Sequence, residues 1–132
     1  MAEKLFLEVV TPQKVIVSEE AEMVVAPGSE GEFGVLKGHT TFLTSLNIGT
    51  LRYKDAKGKE RYLFINGGFA EVLPDKVTIL AESAERRKDI DVDRAKRAKE
   101  RAEKRLAQKG EGIDPARAEV ALRRAVHRLK LK

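Results

Sequence analysis

Residues 91–130 read DVDRAKRAKERAEKRLAQKGEGIDPARAEVALRRAVHRLK, and this stretch decides the fold. Small apolar residues recur in it at steps of three or four, which is the period of one face of an α-helix. The first stripe consists of Ala95, Ala98, Ala102 and Leu106, and the second of Ala118, Ala121, Leu122, Ala125 and Leu129. The pattern predicts two helices, over about 91–108 and about 114–130.

The ends of both predicted helices carry signals of their own. Asp91 is a suitable N-cap, and Asp93 falls in the first turn, where the helix dipole favours a negative charge. Gly110-Glu111-Gly112 stops the first helix, and Asp114-Pro115 starts the second, because proline suits the first helical position. With so short a connection between them, the two helices are expected to form an antiparallel α-helical hairpin.

The seam of this hairpin is mostly alanine, which allows close approach but buries little apolar area. At about 0.8 kcal/mol for each buried CH₂-sized group, such a seam contributes only a few kcal/mol. Both helices are rich in Ala, Arg, Lys and Glu, which favour helix intrinsically. We therefore expect each helix to persist on its own, while the packing between the two helices is weak enough to change.

Charge divides the chain into two parts. Residues 1–86 contain 10 Lys and Arg against 13 Asp and Glu, whereas residues 87–132 contain 16 against 8. All seven Phe and Tyr residues fall in the first part. We interpret residues 1–86 as one domain and residues 87–132 as a basic regulatory tail, which should meet an acidic partner.

The first part is predicted to be an all-β, antiparallel sandwich, because short β-rich runs recur between turn signals. Asp55-Ala56-Lys57-Gly58 and Leu73-Pro74-Asp75-Lys76 suit tight turns. The nine predicted strands are Leu5–Val10, Val15–Val17, Glu22–Ala26, Phe33–Leu36, Thr40–Leu46, Gly49–Tyr53, Arg61–Asn66, Phe69–Leu73 and Lys76–Leu80.

The sequence shows no pattern typical of an active site. His39 and His127 are the only histidines, they lack the spacing of a metal site, and the chain has no cysteine. The glycine-rich run from Gly28 to Gly34 lacks the strand–helix context of a phosphate-binding loop, so loop geometry explains it better. We expect no catalytic residues, no metal and no obligatory cofactor.

Four arginines of the tail are candidates for binding a polyanion. Arg94 and Arg101 are seven residues apart on one helix face, and Arg124 and Arg128 are four apart on another. In an antiparallel hairpin these pairs can converge on phosphate oxygens. Glu85 and Asp91 would be acceptors near the hinge, which is the segment that joins the first part of the chain to the helices. The alternative is a solvated basic face with ion pairs to Glu100 and Glu103, and spacing alone favours it.

Two other classes of function remain open on composition. A nucleic-acid-binding module would explain the basic tail, but Asp and Glu are interleaved there and no aromatic residue is available for base stacking. A small phosphate-processing enzyme would have only Glu85 and Asp91 as bases near the arginines. Nucleic acid is therefore not expected as a partner.

The residues around this hinge resemble a known family. Ile90-Asp91-Val92-Asp93-Arg94-Ala95 resembles the Ile/Leu-Asp-x-x-Arg-Ala motif of bacterial F-type ATP synthase epsilon subunits. The runs 28–39, 67–72 and 75–81 are similar to further motifs of the family, in the same order. The resemblance extends over about residues 5–129.

This resemblance implies a non-catalytic rotor subunit of the central stalk. Its β-sandwich would bind the gamma subunit and the ring of c subunits, with Glu32 and His39 in the segments that meet the ring. The tail would fold beside the sandwich or extend toward an acidic segment of the beta subunits and inhibit ATP hydrolysis. The protein would lie peripherally on the cytoplasmic side of the cell inner membrane or plasma membrane, attached only through the complex.

The resemblance also implies that ATP is a regulatory ligand that holds the tail folded. Arg94, Arg101, Arg124 and Arg128 would hold the phosphates and ribose, Glu85 and Asp91 would contact the adenine side, and Ile90 and Ala95 would supply packing. The implied ATP-binding residues are Glu85, Ile90, Asp91, Arg94, Ala95, Arg101, Arg124 and Arg128.

Overall fold

Within residues 4–108, 112 and 114–131, which the computed structural model describes, seven strands precede two helices. The strands are β1 Leu5–Val10, β2 Val15–Gly28, β3 Gly31–Val35, β4 Phe42–Asp55, β5 Glu60–Val72, β6 Lys76–Ala81 and β7 Ala84–Arg86. A single 3₁₀ turn, Arg87–Asp89, leads to α1 Val92–Ala107 and α2 Pro115–Leu131. The prediction of a helix stop at Gly110 and Glu111 lies outside the described residues.

The sheet closes on itself. Its strand order is β1-β6-β5-β4-β2-β3, and β1 also pairs with β2, so the pairing runs around a flattened barrel. Every pairing is antiparallel except that of β1 with β6. The two layers enclose a core that includes the fully buried Leu7, Leu51, Leu63 and Ile79. The predicted all-β sandwich followed by a helical hairpin is confirmed.

The prediction of nine short strands is wrong in detail, because three pairs of them are continuous. Val15–Val17 and Glu22–Ala26 belong to β2, Thr40–Leu46 and Gly49–Tyr53 fall largely within β4, and Arg61–Asn66 and Phe69–Leu73 fall largely within β5. In β5 the positive φ angles of Gly67 and Gly68, 69° and 125°, bend the strand without ending it.

The short strand β7 was not predicted. It pairs with β5 through Ala84 opposite Ile65 and Arg86 opposite Leu63. Three residues are too few for a period-two pattern to be visible, so no signal distinguishes this strand from a linker. The pairing matters because it fixes the origin of the tail against the middle of β5.

The turn between β4 and β5 forms as predicted. Gly58 has φ of 80°, and its N–H donates to the Asp55 carbonyl at 2.9 Å. The Asp55 carboxylate accepts from the backbone N–H groups of Lys57 and Lys59 at 2.9 and 3.0 Å. The bond from Lys59, followed by the bond from Lys57 and the Arg61 guanidinium, holds the pKa of Asp55 below its ordinary value.

Both helices begin with the aspartate caps that the sequence predicts. The Asp91 carboxylate accepts from the Arg94 backbone N–H at 3.0 Å, and that of Asp114 accepts from the Arg117 N–H at 3.2 Å. The helices span Val92–Ala107 and Pro115–Leu131, and each end lies within one residue of the predicted ranges, about 91–108 and about 114–130. N-capping therefore defines both starts.

The seam between α1 and α2 is a set of buried alanines, namely Ala95, Ala102, Ala118 and Ala125. Leu106 departs from the predicted stripe, since it is 38% exposed. It lies one residue from the end of α1, where the small residues at the start of α2 offer little to cover it. Consequently the contact between the helices is made by alanines, as expected, but it is shorter than predicted.

The hairpin packs against the sheet through α2, which contacts β4 and β5. Leu131 at the end of α2 forms a small buried cluster with Phe64 of β5 and with Ile90, and Ile48 and Tyr62 pack around it. In this structure the tail is therefore folded beside the sandwich. Among the described residues, no helix combines the length and apolarity needed to cross a bilayer.

Candidate functional site

A cavity of about 670 Å³ lies where the hairpin meets the sheet. Seven of the residues that line it belong to the predicted ligand set: Glu85, Asp91, Arg94, Ala95, Arg101, Arg124 and Arg128. Six further lining residues were not predicted: Lys14, Asn66, Ser83, Asp89, Ala98 and Ala121. We call this space the tail cavity. Its size is within the range of small-molecule sites.

Ile90 is the one predicted ligand residue that does not line the tail cavity. It has an extended backbone just before the N-cap, and its side chain packs with Phe64 and Leu131 in the cluster beneath α2. Ile90 thus joins the hinge to the sheet and the tail, and its implied role in packing against ATP stays a prediction.

The α1 side of the cavity presents two arginines and a small residue. Arg94 and Arg101 have exposed side chains and stand two turns apart on one face. Ala95 is buried in the seam, so α1 and α2 can approach closely at this level. Asp91 already accepts the Arg94 N–H as the helix cap, which fixes the first turn of α1 at the mouth of the cavity.

The α2 side is anchored to the sheet by Arg128. Its Nε donates to Glu85 Oε1 at 2.9 Å, its Nη2 forms an ion pair with the same oxygen at 2.8 Å, and its guanidinium lies 4.3 Å from the centre of the Phe64 ring. The side chains of Arg128 and Glu85 are about one-quarter to one-third exposed. Arg128 and Glu85 therefore pair across the boundary between tail and sheet.

The charges of the tail cavity favour an anion. Five cationic side chains line it, namely Lys14, Arg94, Arg101, Arg124 and Arg128, against Glu85, Asp89 and Asp91. Glu85 is paired with Arg128, and Asp91 is engaged as a cap. The arrangement can place several guanidinium and ammonium donors around phosphate oxygens.

Three of the unpredicted lining residues, Lys14, Asn66 and Ser83, come from the sandwich. Asn66 and Ser83 are held together by a hydrogen bond from the Asn66 N–H to the Ser83 carbonyl, at 3.0 Å. Lys14 belongs to the turn between β1 and β2, some seventy residues from Ser83 in sequence. Only the closed sheet brings these positions together, so spacing along the chain contains no signal of them.

The two histidines lie outside the tail cavity lining. Burial, with Lys130 and Arg123 nearby, lowers the pKa of His127 on α2. His39 Nδ1 is 2.8 Å from the Thr40 carbonyl oxygen. Among the described residues, no group of three or more His, Cys, Asp or Glu side chains is arranged to hold a metal ion.

Glu32 and His39, which the resemblance places at a ring of c subunits, are joined by two aromatic residues. The His39 ring lies 5.2 Å from that of Phe42, which in turn meets Phe33 edge to face at 5.1 Å. Glu32 lies next to Phe33 on β3 and is 3.5 Å from Arg52. His39 thus lies beside the Phe33–Phe42 pair, whereas the side chains of Glu32 and Phe33, as strand neighbours, point to opposite faces of the sheet.

Comparison with known proteins covers both parts of the chain. Residues 4–87 match the family described as ATP synthase, Delta/Epsilon chain, beta-sandwich domain. Residues 88–132 match the ATP synthase, Delta/Epsilon chain, long alpha-helix domain.

Curated relatives agree with these matches. The ATP synthase epsilon chain of Desulforapulum autotrophicum is 71% identical, over 99% of this chain and 97% of that protein. The ATP synthase epsilon chain of Nitratidesulfovibrio vulgaris is 57% identical, over 100% of this chain and 98% of that protein.

Solved structures show the same architecture. A chain in the Euglena gracilis mitochondrial ATP synthase (OSCP/F1/c-ring) superposes with a TM-score of 0.82 and 27% identity, covering 93% of this chain and 78% of that one. A chain in the central stalk/c-ring structure of the Tetrahymena thermophila enzyme gives a TM-score of 0.61 over 98% and 93%, and at 17% identity this is a likeness of fold alone. From the matches over both of its parts, the chain belongs to the family of bacterial-type F-type ATP synthase epsilon subunits.

Proposed function

We propose that the protein is a non-catalytic rotor subunit of the central stalk, and that its helical tail senses ATP and regulates hydrolysis. The observation that carries the proposal is the tail cavity, which is built jointly by the sheet, the hinge and both helices. A ligand in it would touch all of these parts only while the tail is folded. Binding would therefore favour the folded tail over any other arrangement.

The sandwich is proposed to bind the gamma subunit and the c-ring. Leu43, Phe69 and Leu80 are 71%, 56% and 54% exposed, and Phe69 is directly opposite Leu80 on the neighbouring strand. Apolar side chains grouped on one face support a protein partner. For the c-ring we propose the segments that carry Glu32 and His39. The related Euglena gracilis chain is part of an assembly that includes a c-ring.

The extended tail is proposed to reach an acidic segment of the beta subunits and inhibit ATP hydrolysis. The charge of residues 87–132, 16 Lys and Arg against 8 Asp and Glu, supports an acidic partner. In the folded state Arg128 is engaged with Glu85, so extension exchanges one acidic partner for others. The protein would then lie peripherally at the cytoplasmic side of the membrane through these partners.

Calorimetry with ATP on the full chain tests the sensor. We expect ATP binding that Arg94→Ala and Arg101→Ala weaken about tenfold or more, since each removes charge-assisted bonds to phosphate. Arg97→Ala is the matched control, because Arg97 is an exposed arginine of the same helix outside the cavity lining. Undetectable binding at millimolar ATP, or equal losses in all three variants, would overturn the sensor role.

Copurification tests the rotor role separately. The chain should be retained by isolated gamma subunit, and Phe69→Glu should abolish retention while leaving ATP binding unchanged. Retention that is insensitive to Phe69→Glu would exclude the proposed surface. Turnover of ATP by the purified chain would instead support an enzyme.

A further inference from the structure

A second cavity, of about 360 Å³, is lined in part by the residues that lead into the hinge, and we call it the hinge cavity. Its lining is residues 59–62, at the start of β5, and residues 86–88, which join β7 to the 3₁₀ turn. It shares no lining residue with the tail cavity. It therefore connects the sheet to the origin of the tail separately from the tail cavity.

The lining of the hinge cavity is strongly cationic. Five of its seven residues are Lys or Arg, and Glu60 is its one carboxylate. The Tyr62 hydroxyl donates to Glu60 Oε2 at 2.7 Å, and this bond is the main cause of a raised Tyr62 pKa. Lys and Arg therefore outnumber carboxylates in the lining, and this composition favours an anionic ligand.

Two arginines of the cavity are fixed from behind by the sandwich. Arg86 donates from Nη1 to the Tyr53 hydroxyl at 3.4 Å and from Nη2 to the Ile16 carbonyl at 3.1 Å. Arg61 donates from Nε to Asp55 at 3.2 Å. A guanidinium has five N–H donors, so these contacts orient each group and leave further donors for a ligand.

An aromatic ring completes the wall. The Arg87 guanidinium lies 5.3 Å from the centre of the Tyr62 ring, which aligns it across the space between hinge and sheet. Cations from both segments thus face one volume large enough for a small molecule. Oriented guanidinium groups with a lysine beside them suit a ligand with the many oxygens of linked phosphates better than they suit a ligand with a single carboxylate.

We propose that the hinge cavity binds a small oligophosphate of two or three phosphoryl groups. Bound there, the anion bridges β5 to residues 86–88 and restrains the segment from which α1 departs. The hinge site does not depend on whether ATP binds the tail cavity.

The test is titration of the full ¹⁵N-labelled chain with tripolyphosphate at constant ionic strength, followed by NMR. Amide shifts at Tyr62 and Lys88 report the hinge cavity, and shifts at Arg94 and Ala98 report the tail cavity. We expect saturable shifts at Tyr62 and Lys88, and Lys59→Ala should weaken them about three- to tenfold, as for one charge-assisted contact to a partly exposed anion.

Lys57→Ala is the matched control, because Lys57 is an exposed lysine of the same turn outside the cavity lining. Both lysines donate to Asp55 only through backbone N–H groups, which alanine retains. Arg94→Ala should leave the hinge titration unchanged, whatever it does to ATP binding. Equal weakening by Lys57→Ala and Lys59→Ala, or shifts confined to Arg94 and Ala98, would overturn the proposal.

Discussion

At the scale of single residues, Arg128 makes two side-chain contacts that depend on the folded tail. It combines an ion pair to Glu85 with a cation–π contact to Phe64, both from the sheet. Arg128→Ala should destabilise docking of α2 by about 1–2 kcal/mol. This figure combines the ion pair and the cation–π contact and is reduced because both are partly exposed to solvent. Amide hydrogen exchange in α2 measures this as protection reduced about tenfold.

Two variants show which property of Arg128 matters. Arg128→Lys keeps the charge but loses the fork and the flat face over Phe64, so most of the loss should persist. Arg123→Ala, at an exposed arginine of the same helix, should leave exchange unchanged. If Arg128→Lys restored full protection, the guanidinium geometry and its stacking on Phe64 would contribute nothing.

Asp55 gives a pH-dependent prediction. Its folded-state pKa lies below the ordinary 3.8, so folding favours the carboxylate. This contribution is present above pH 3.8 and is lost as the pH falls through the folded-state pKa. Asp55→Asn should therefore lower the melting temperature at pH 7, and the difference from the unsubstituted chain should shrink as the pH is lowered below 3.8. Thermal scans between about pH 7 and pH 3 measure this difference in melting temperature. A difference that stays constant over that range would contradict the prediction.

At the scale of elements, the alanine seam sets how closely α1 and α2 approach. Ala125 is fully buried between them, so Ala125→Leu should overpack the seam and cost about 1–3 kcal/mol. Helix content by circular dichroism should persist, because leucine favours helix, while ATP binding weakens. Ala116→Leu on the exposed start of α2 is the control and should change neither.

The end of α2 carries a second element-scale prediction. Leu131→Ala removes the buried contact to Phe64 and Ile90 and should weaken docking by about 1–2 kcal/mol, below the usual core value because the cluster is small. Val120→Ala, at a partly exposed apolar residue of the same helix, is the control. Equal loss of α2 protection in both variants would show that helix stability, rather than the cluster, was being measured.

Sequence patterns predicted elements better than their contacts. The 3.6-residue period and the aspartate caps indicated both helices, because those signals are local. Gly67 and Gly68 were interpreted as the end of a strand, yet β5 continues through them because its partners β4 and β6 hold it on both sides. The cluster of Phe64, Ile90 and Leu131 could not be predicted, since its members share no period and meet only in the folded chain.

The same limit applies to the candidate site. Motif resemblance indicated seven residues that line the tail cavity, all of them on or near the hinge and helices. Lys14, Asn66 and Ser83 belong to the strands and turns of the sandwich, and strand pairing brings them to the cavity. Whether these residues bind ATP stays a prediction, and the structure contributes their proximity.

At the scale of the whole molecule, the tail and the sandwich form one thermodynamic unit when the tail cavity is occupied. At a hundredfold excess over its Kd, ATP should stabilise the folded tail by about 2.7 kcal/mol. Hydrogen exchange in α2 and in residues 86–91 should then slow together by about a hundredfold. Protection limited to α1, or equal protection of the Arg101→Ala variant, would contradict this coupling.

The position of the Leu131 cluster has a mechanical consequence. The part of the tail farthest from the hinge in sequence is the part seated on Phe64, while α1 rests chiefly on α2. Pulling from the carboxyl end in a single-molecule force experiment should therefore peel α2 from the sheet one turn at a time, at low force. Pulling from α1 loads the Arg128 and Leu131 contacts in shear, so rupture should need a higher force and occur in one step.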